Sequence, residues 1–347
     1  MSLTANALYA PHIRHHENTR TVMGDVILVL VVLYIMAYMH YGLRAVALGV
    51  WSVAICVLAD VAGTLMRRQR PHIRDLSAVV TGMLLPLMMP VSIPYRVVAV
   101  AAVVAVAVAK QPFGGVGHNV FNPAAAGFSF AAICFGVQMF TYPEPQQALV
   151  GAAGEEAVFL PVLGALDFVS GIAPTFTLRL GAVPQYELLD MAMGNYPGPM
   201  GATNILVILA CLLYLVFRNT VRWDMPVAFF GAAFLFAYIF PRSQMDRLES
   251  VGYEMMSGLL LFAGVFLLGD PVTTPKRDLS KVAFGAVAGV VVMLFRRFGN
   301  MEESITFAIL LMNATTWGFD MLGERVYGKI RRRRVEVFNS QKIQKKA

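Results

Sequence analysis

Apolar residues fall into ten runs, at about 22–40, 43–65, 76–93, 95–109, 121–142, 204–217, 224–241, 251–268, 281–296 and 303–321. Charges cluster between these runs and leave long uncharged intervals, the mark of a polytopic membrane protein rather than a large soluble core. Several runs fall short of the roughly twenty residues that cross a bilayer upright, so some are expected to be broken helices buried in protein. The expected class is an all-α polytopic membrane protein with about ten transmembrane helices. Residues 142–203 lack such a run, and loops this long usually carry function or are disordered. The chain divides accordingly into an N-terminal segment 1–21, a first membrane half 22–142, a polar loop 143–203, a second half 204–321 and a basic tail 322–347.

Composition agrees with this pattern. The chain is 57% hydrophobic and 14% charged, whereas a soluble domain is about half apolar and about a quarter charged. A net charge of +7 would by itself suit a nucleic-acid partner, but the basic residues are distributed by topology. Of the 28 Lys and Arg, 21 fall on one side of an alternating ten-span arrangement. The positive-inside rule then makes both termini cytoplasmic and places 143–203 outside, with membrane lipid rather than nucleic acid as the surrounding partner. Cys56, Cys134 and Cys211 are isolated within apolar runs, which argues against an iron–sulfur or zinc site in this chain alone. His12, His15 and His16 have no acidic or thiol partner at ligand spacing and read as a headgroup-facing tail.

A weak internal repeat is visible. Thr81-Gly82-Met83-Leu84-Leu85 in the third run resembles Ser257-Gly258-Leu259-Leu260-Leu261 in the eighth, and Phe113-Gly114 and Phe298-Gly299 follow the fourth and ninth. Two sets of five helices that start from opposite sides would form an inverted repeat.

Three features offer chemistry. Lys110–Ala124 contains Gly114, Gly115 and Gly117 with His118, Asn119 and Asn122. It reads either as a ligand-approaching loop or as a re-entrant turn shaped by its glycines and Asn122-Pro123. Asp270-Pro271-Val272-Thr273 ends the eighth run and reads first as a helix stop; Asp270 and Thr273 there are also placed to hold a cation or a hydrogen-bonding ligand edge. Asp25, Asp60, Glu254 and Asp320 are acids within or at the ends of spans; Asp60 and Glu254 are the ion-pathway candidates, against the commoner structural ion pair.

Together these stretches resemble the D subunits of the Rnf (Rsx) electron-transport complexes and, more distantly, the B subunits of the sodium-translocating NADH:quinone oxidoreductases. The resemblance runs from Pro11-His12 through Ala109-Lys110-Gln111, Phe113–Ala124, Thr177-Leu178-Arg179-Leu180-Gly181, Val221-Arg222-Trp223 and Asp270-Pro271-Val272-Thr273 to Arg325-Val326-Tyr327-Gly328. It implies a ten-helix inverted repeat in the inner membrane and the other Rnf subunits (A, B, C, E and G) as partners. The implied activity couples electron flow between ferredoxin and NAD to Na+ or H+ transport. It also implies FMN esterified to a threonine of a Ser-Gly-Ala-Thr motif on the outer side, and riboflavin near the cytoplasmic side in some relatives. On this reading Gly114, Gly115, Asn119, Asn122, Asp270 and Thr273, together with Gly201 and Thr203 of the outer loop, are cofactor-binding candidates.

The sequence departs from that pattern after Gly181, where Ala182-Val183-Pro184 follows and no Ser-Gly-Ala-Thr occurs. Its one Gly-Ala-Thr is Gly201-Ala202-Thr203. By composition Thr203 resembles the family's flavin-attachment threonine; by register it opens the sixth helix, where it would serve as a cap. Two other readings stay open: a transporter-like scaffold without electron transfer, and a protein like the B subunit of the NADH:quinone oxidoreductases.

Overall fold

The computed structural model describes residues 19–68, 75–115, 117–145, 170–242, 245–270, 272–299 and 301–344, with side chains as far as residue 327. The N-terminal histidines, the middle of the polar loop and the side chains of the basic tail from residue 328 onward lie outside the described residues. Among those described the chain is all-α, consistent with the expected class. Helices α1 (Thr19–Tyr41), α2 (Leu43–Met66), α3 (Ser77–Leu87), α4 (Tyr95–Ala107), α5 (Pro123–Cys134) and α6 (Gly136–Met139) form the first half. The loop contributes α7 (Pro174–Arg179) and α8 (Leu188–Met193). The second half holds α9 (Ile205–Phe217), α10 (Asp224–Ile239), α11 (Arg247–Met256), α12 (Leu260–Phe262), α13 (Asp278–Phe298) and α14 (Ile305–Gln344).

Five helical stretches are long and apolar enough to cross a membrane, and α11 with the helix that follows it makes a sixth, bent by 64°. Four more apolar helices, α3, α5, α9 and α10, are shorter. The eleven residues of α3 rise only about 16 Å, against a hydrocarbon core of about 30 Å. The ten sequence runs are thus all helical, but not all are full-length spans.

Local sequence explains where the helices start and stop. Asn122 caps α5, accepting from the Ala125 amide at 3.2 Å, and Pro123 occupies the first helical position. Asn204 caps α9 in the same way through Val207. The cap expected of Thr203 therefore belongs to the next residue, because an amide oxygen on Asn204 reaches the N3 amide. Gly299 ends α13, and Gly114 ends the 3-10 turn Gln111–Phe113 that extends α4.

The halves repeat their pairing. α2 packs on α4 and α4 on α5; α10 packs on α13 and α13 on α14; α1 meets α9 and α5 meets α14 across the halves. One motif match does not survive. Thr81-Gly82 lies inside α3, whereas Ser257-Gly258 is the break after α11, with Gly258 at φ +64°. The two share small-residue chemistry but different backbones.

Glycines set the closest helix approaches. A Cβ at Gly289 would lie 2.5 Å from the Phe229 carbonyl oxygen, and one at Gly127 2.5 Å from that of Ala101. Such small-residue contacts let backbones meet where lipid supplies no hydrophobic drive. Gly231 on α10 has open space around it. Gly289→Ala is expected to lower the melting temperature of the detergent-purified protein. Gly231→Ala is expected to leave it unchanged or raise it, since alanine favours an exposed helix by about 0.5–1 kcal/mol. Equal effects at the two positions would contradict this packing.

Candidate functional site

The two polar turns singled out by sequence, Lys110–Ala124 and Asp270–Thr273, meet. They close a cavity of about 80 Å³ between the halves, whose wall includes Lys110, Asn119, Asn122 and Asp270. Met23 from the N-terminal end of α1, Leu84 of α3 and Phe266 supply apolar surface. The turns reach the same place because both are helix ends inside the bundle, where each free backbone group needs a partner.

Asn122 joins the halves. Its Oδ1 caps α5, its Nδ2 donates to the Leu267 carbonyl at 3.2 Å, and its backbone amide donates to Asn313 Oδ1 at 3.1 Å. Asp270 Oδ1 accepts from the Val272 amide at 3.1 Å, and Thr273 Oγ1 stands 3.5 Å from Oδ2. Burial raises the Asp270 pKa, and those two donors oppose the rise. Asn119 Nδ2 donates to the Phe121 carbonyl at 3.2 Å. Gly114 and Gly115, at φ +112° and +92°, shape the turn and are not part of the cavity wall.

Lys110 is a central residue of this site. Its side chain is 3% exposed, and its ammonium lies 3.0 Å from Asp60 Oδ1 and 2.7 Å from Ser77 Oγ. Gln111 Nε2 donates to the same Asp60 oxygen at 2.6 Å. Asp60 is therefore neutralised from the loop, at a separation of fifty residues. Asp25 pairs with Arg218 at 3.2 Å, and Asp320 accepts from the Lys276 amide at 2.9 Å.

Glu254 lies at the other end of the bundle, the end that carries 170–203. It pairs with Arg242 at 3.1 Å and Arg296 at 3.6 Å. Arg296 also donates to the Glu254 carbonyl at 2.7 Å and to Ser257 Oγ at 2.7 Å, and Arg242 donates to the Arg296 carbonyl. This network ties off the break between α11 and α12. Thr203 and Gly201 also lie at this end, across the length of α9 from the cavity. Thr203 is 1% exposed, its methyl packed toward Gly198. Gly201 donates to the Leu87 carbonyl at 2.8 Å, and a Cβ there would strike Leu87.

Sequence reading passed over the turn Glu302-Glu303 between α13 and α14. Glu303 is buried; its Oε2 accepts from the Leu259 amide at 3.3 Å, and its Oε1 has no hydrogen-bond partner among the described residues. Glu302 Oε1 accepts from Thr175 Oγ1 at 2.9 Å. Burial lifts Glu302 to about 7 against the pull of Thr175 and Arg179, and lifts Glu303 to about 8 despite Arg296. The available signal was two adjacent acids at the start of the last apolar run.

Helices that break inside the bundle around polar groups place candidate sites at both ends of this membrane protein. Similarity to known proteins makes this specific: residues 7–328 match the NQR2, RnfD, RnfE family, and the chain belongs to it. It is 28% identical over 308 residues to the D subunit of the proton-translocating ferredoxin:NAD(+) oxidoreductase complex of Clostridium ljungdahlii, covering 88% of this chain and 91% of that one. It is 32% identical to the D subunit of the ion-translocating oxidoreductase complex of Cronobacter sakazakii, over 79% and 85% of the two chains. With the D subunit of the Na(+)-translocating ferredoxin:NAD(+) oxidoreductase complex of Acetobacterium woodii, identity is 27% over 94% and 96%.

Removing one partner of a buried ion pair costs about 3–5 kcal/mol, largely from the charge left behind. Lys110→Met is therefore expected to destabilise strongly, and adding Asp60→Asn to restore much of the loss. A double-mutant cycle of chemical unfolding in detergent measures this; additive losses would contradict the pairing.

Proposed function

We propose that the chain is the D subunit of an Rnf-type complex that couples electron transfer between ferredoxin and NAD to Na+ or H+ movement, and that it passes electrons through a bound flavin. The observation that carries the flavin part is the convergence of the two polar turns on one cavity between the halves. Lys110, Asn119 and Asp270 offer donors and acceptors beside Leu84 and Phe266, the mixed lining that holds the edge of a flat heterocycle. The chemistry of the wall fits. At about 80 Å³ the space is smaller than the roughly 300–1,000 Å³ of ligand pockets, so admitting a ring system requires the wall to open.

A flavin, when bound, supplies the electron transfer that side chains lack. The chain's own groups would hold it: Asp270, fixed by Val272 and Thr273, would serve as an acceptor, and Lys110 and Asn119 as donors. We further propose that this flavin is held without a bond to Thr203. The hydroxyl-bearing side chain is buried, and Gly181-Ala182-Val183-Pro184 offers no hydroxyl at all. The surplus of basic residues supports a cavity on the cytoplasmic side of the inner membrane, both termini with it, and 143–203 outside. The relatives named above divide between protons and sodium, so family membership leaves the coupling ion open.

Flavin released by acid from the purified complex, set against in-gel fluorescence of the denatured D subunit, tests this reading. Phe266→Trp, which fills the cavity, is expected to cut the releasable flavin severalfold, and Thr203→Ala to leave both signals unchanged. A fluorescent D band that disappears in Thr203→Ala would show a bonded flavin, and a flavin-free complex would remove the redox role.

A further inference from the structure

We propose that Glu303, with Glu302 as its outer neighbour, is a proton-exchange site at the end of the bundle that carries 170–203. The proposal rests on the reading of the chain as an ion-coupling subunit and adds a specific group to it. Its basis is a buried set of polar atoms that the fold leaves incomplete. Glu303 Oε1, the Tyr142 hydroxyl and the Tyr41 hydroxyl are all buried, and none has a hydrogen-bond partner among the described residues. Leaving such a group unsatisfied costs about 1–3 kcal/mol. Tyr142 is an electrostatic neighbour of Glu303 and of Tyr41, and Tyr196, whose hydroxyl donates to the Met256 carbonyl at 3.0 Å, neighbours both as well.

The charged surroundings come from several elements. Arg296 of α13 faces Glu303 but is committed to Glu254, Ser257 and the carbonyl beside them. Arg242 is committed to Glu254, and Arg179 of α7 faces Glu302. Glu303 therefore lies in a buried site whose nearest cation already has another carboxylate. Carrying a proton is the low-energy state for such a group. The O–H bond forms at Oε1, the charge on Glu303 goes from −1 to zero, and no electrons move.

Burial grades along the turn. Glu302 is half-buried and Glu303 fully buried, so Glu302 meets solvent protons first. Gly258 completes the site: a Cβ there would strike Oε1, and its φ of +64° suits glycine. Only a residue without a side chain leaves Oε1 room to exchange.

Infrared difference spectroscopy of the purified whole complex, titrated across the range around pH 8, tests the proposal. A protonated-carboxyl band with a midpoint near 8 is expected in wild type, lost in Glu303→Gln and shifted by at least half a pH unit in Tyr142→Phe. Glu303→Gln keeps the shape of the protonated acid, so folding is retained; Tyr142→Phe keeps the ring and supplies an independent reading. No such band, or a band unchanged in Glu303→Gln, overturns the proposal. Ferredoxin:NAD turnover is assayed in parallel. Turnover without the band sinks this site alone, whereas the band without turnover sinks the functional reading alone.

Discussion

Everything in this molecule depends on satisfying the backbone at helix ends that stop inside the bundle. In a hydrocarbon environment an unpaired N–H or C=O costs several kcal/mol, so a short helix is viable only if another part of the chain completes it. After α3, Arg44 donates to the Val91 and Ile93 carbonyls at 2.8 and 3.0 Å, and the loop amides of Gly201 and Met200 donate to Leu87 and Met89. At the start of α5, Asn122 spans both halves. At the α11–α12 break, Arg296 takes the carbonyl side and Glu303 the Leu259 amide.

These completions are what bring chemistry into the membrane region. Each imports a polar or charged side chain that must itself be paired, so Lys110 finds Asp60 and Arg296 finds Glu254. The acids that looked like pathway residues are thus partnered, as expected when burying a lone charge is so costly. What remains unpaired is informative for the same reason. Among these, Glu303 is a buried carboxylate with one oxygen that no described group reaches.

Both ends of the bundle share one logic. At the Asp270 end two turns from different halves enclose a cavity with donors on an apolar wall. At the Glu303 end the loop folds back on α11, with Leu178, Met191, Tyr196 and Tyr253 forming a small cluster of their own. Residues 174–196 of the loop therefore pack on the broken helix, whereas Gly201 completes the end of α3 at Leu87.

The sequence by itself determined the class and the ten helical runs, because uncharged apolar stretches have no stable alternative to helix in lipid. It also placed the Asn122-Pro123 start of α5 and the glycine turn after Lys110, whose φ values few other residues tolerate. Those signals are local. The tertiary structure decided which runs are half-helices, that Asn204 rather than Thr203 caps α9, and that Asp60 meets a lysine fifty residues away. It alone brought the turns at Lys110 and Asp270 onto one cavity, and buried Glu303 against the Leu259 amide with its other oxygen unpartnered. Partners separated by tens to hundreds of residues leave no periodic trace, so only the packing of the two halves could reveal them.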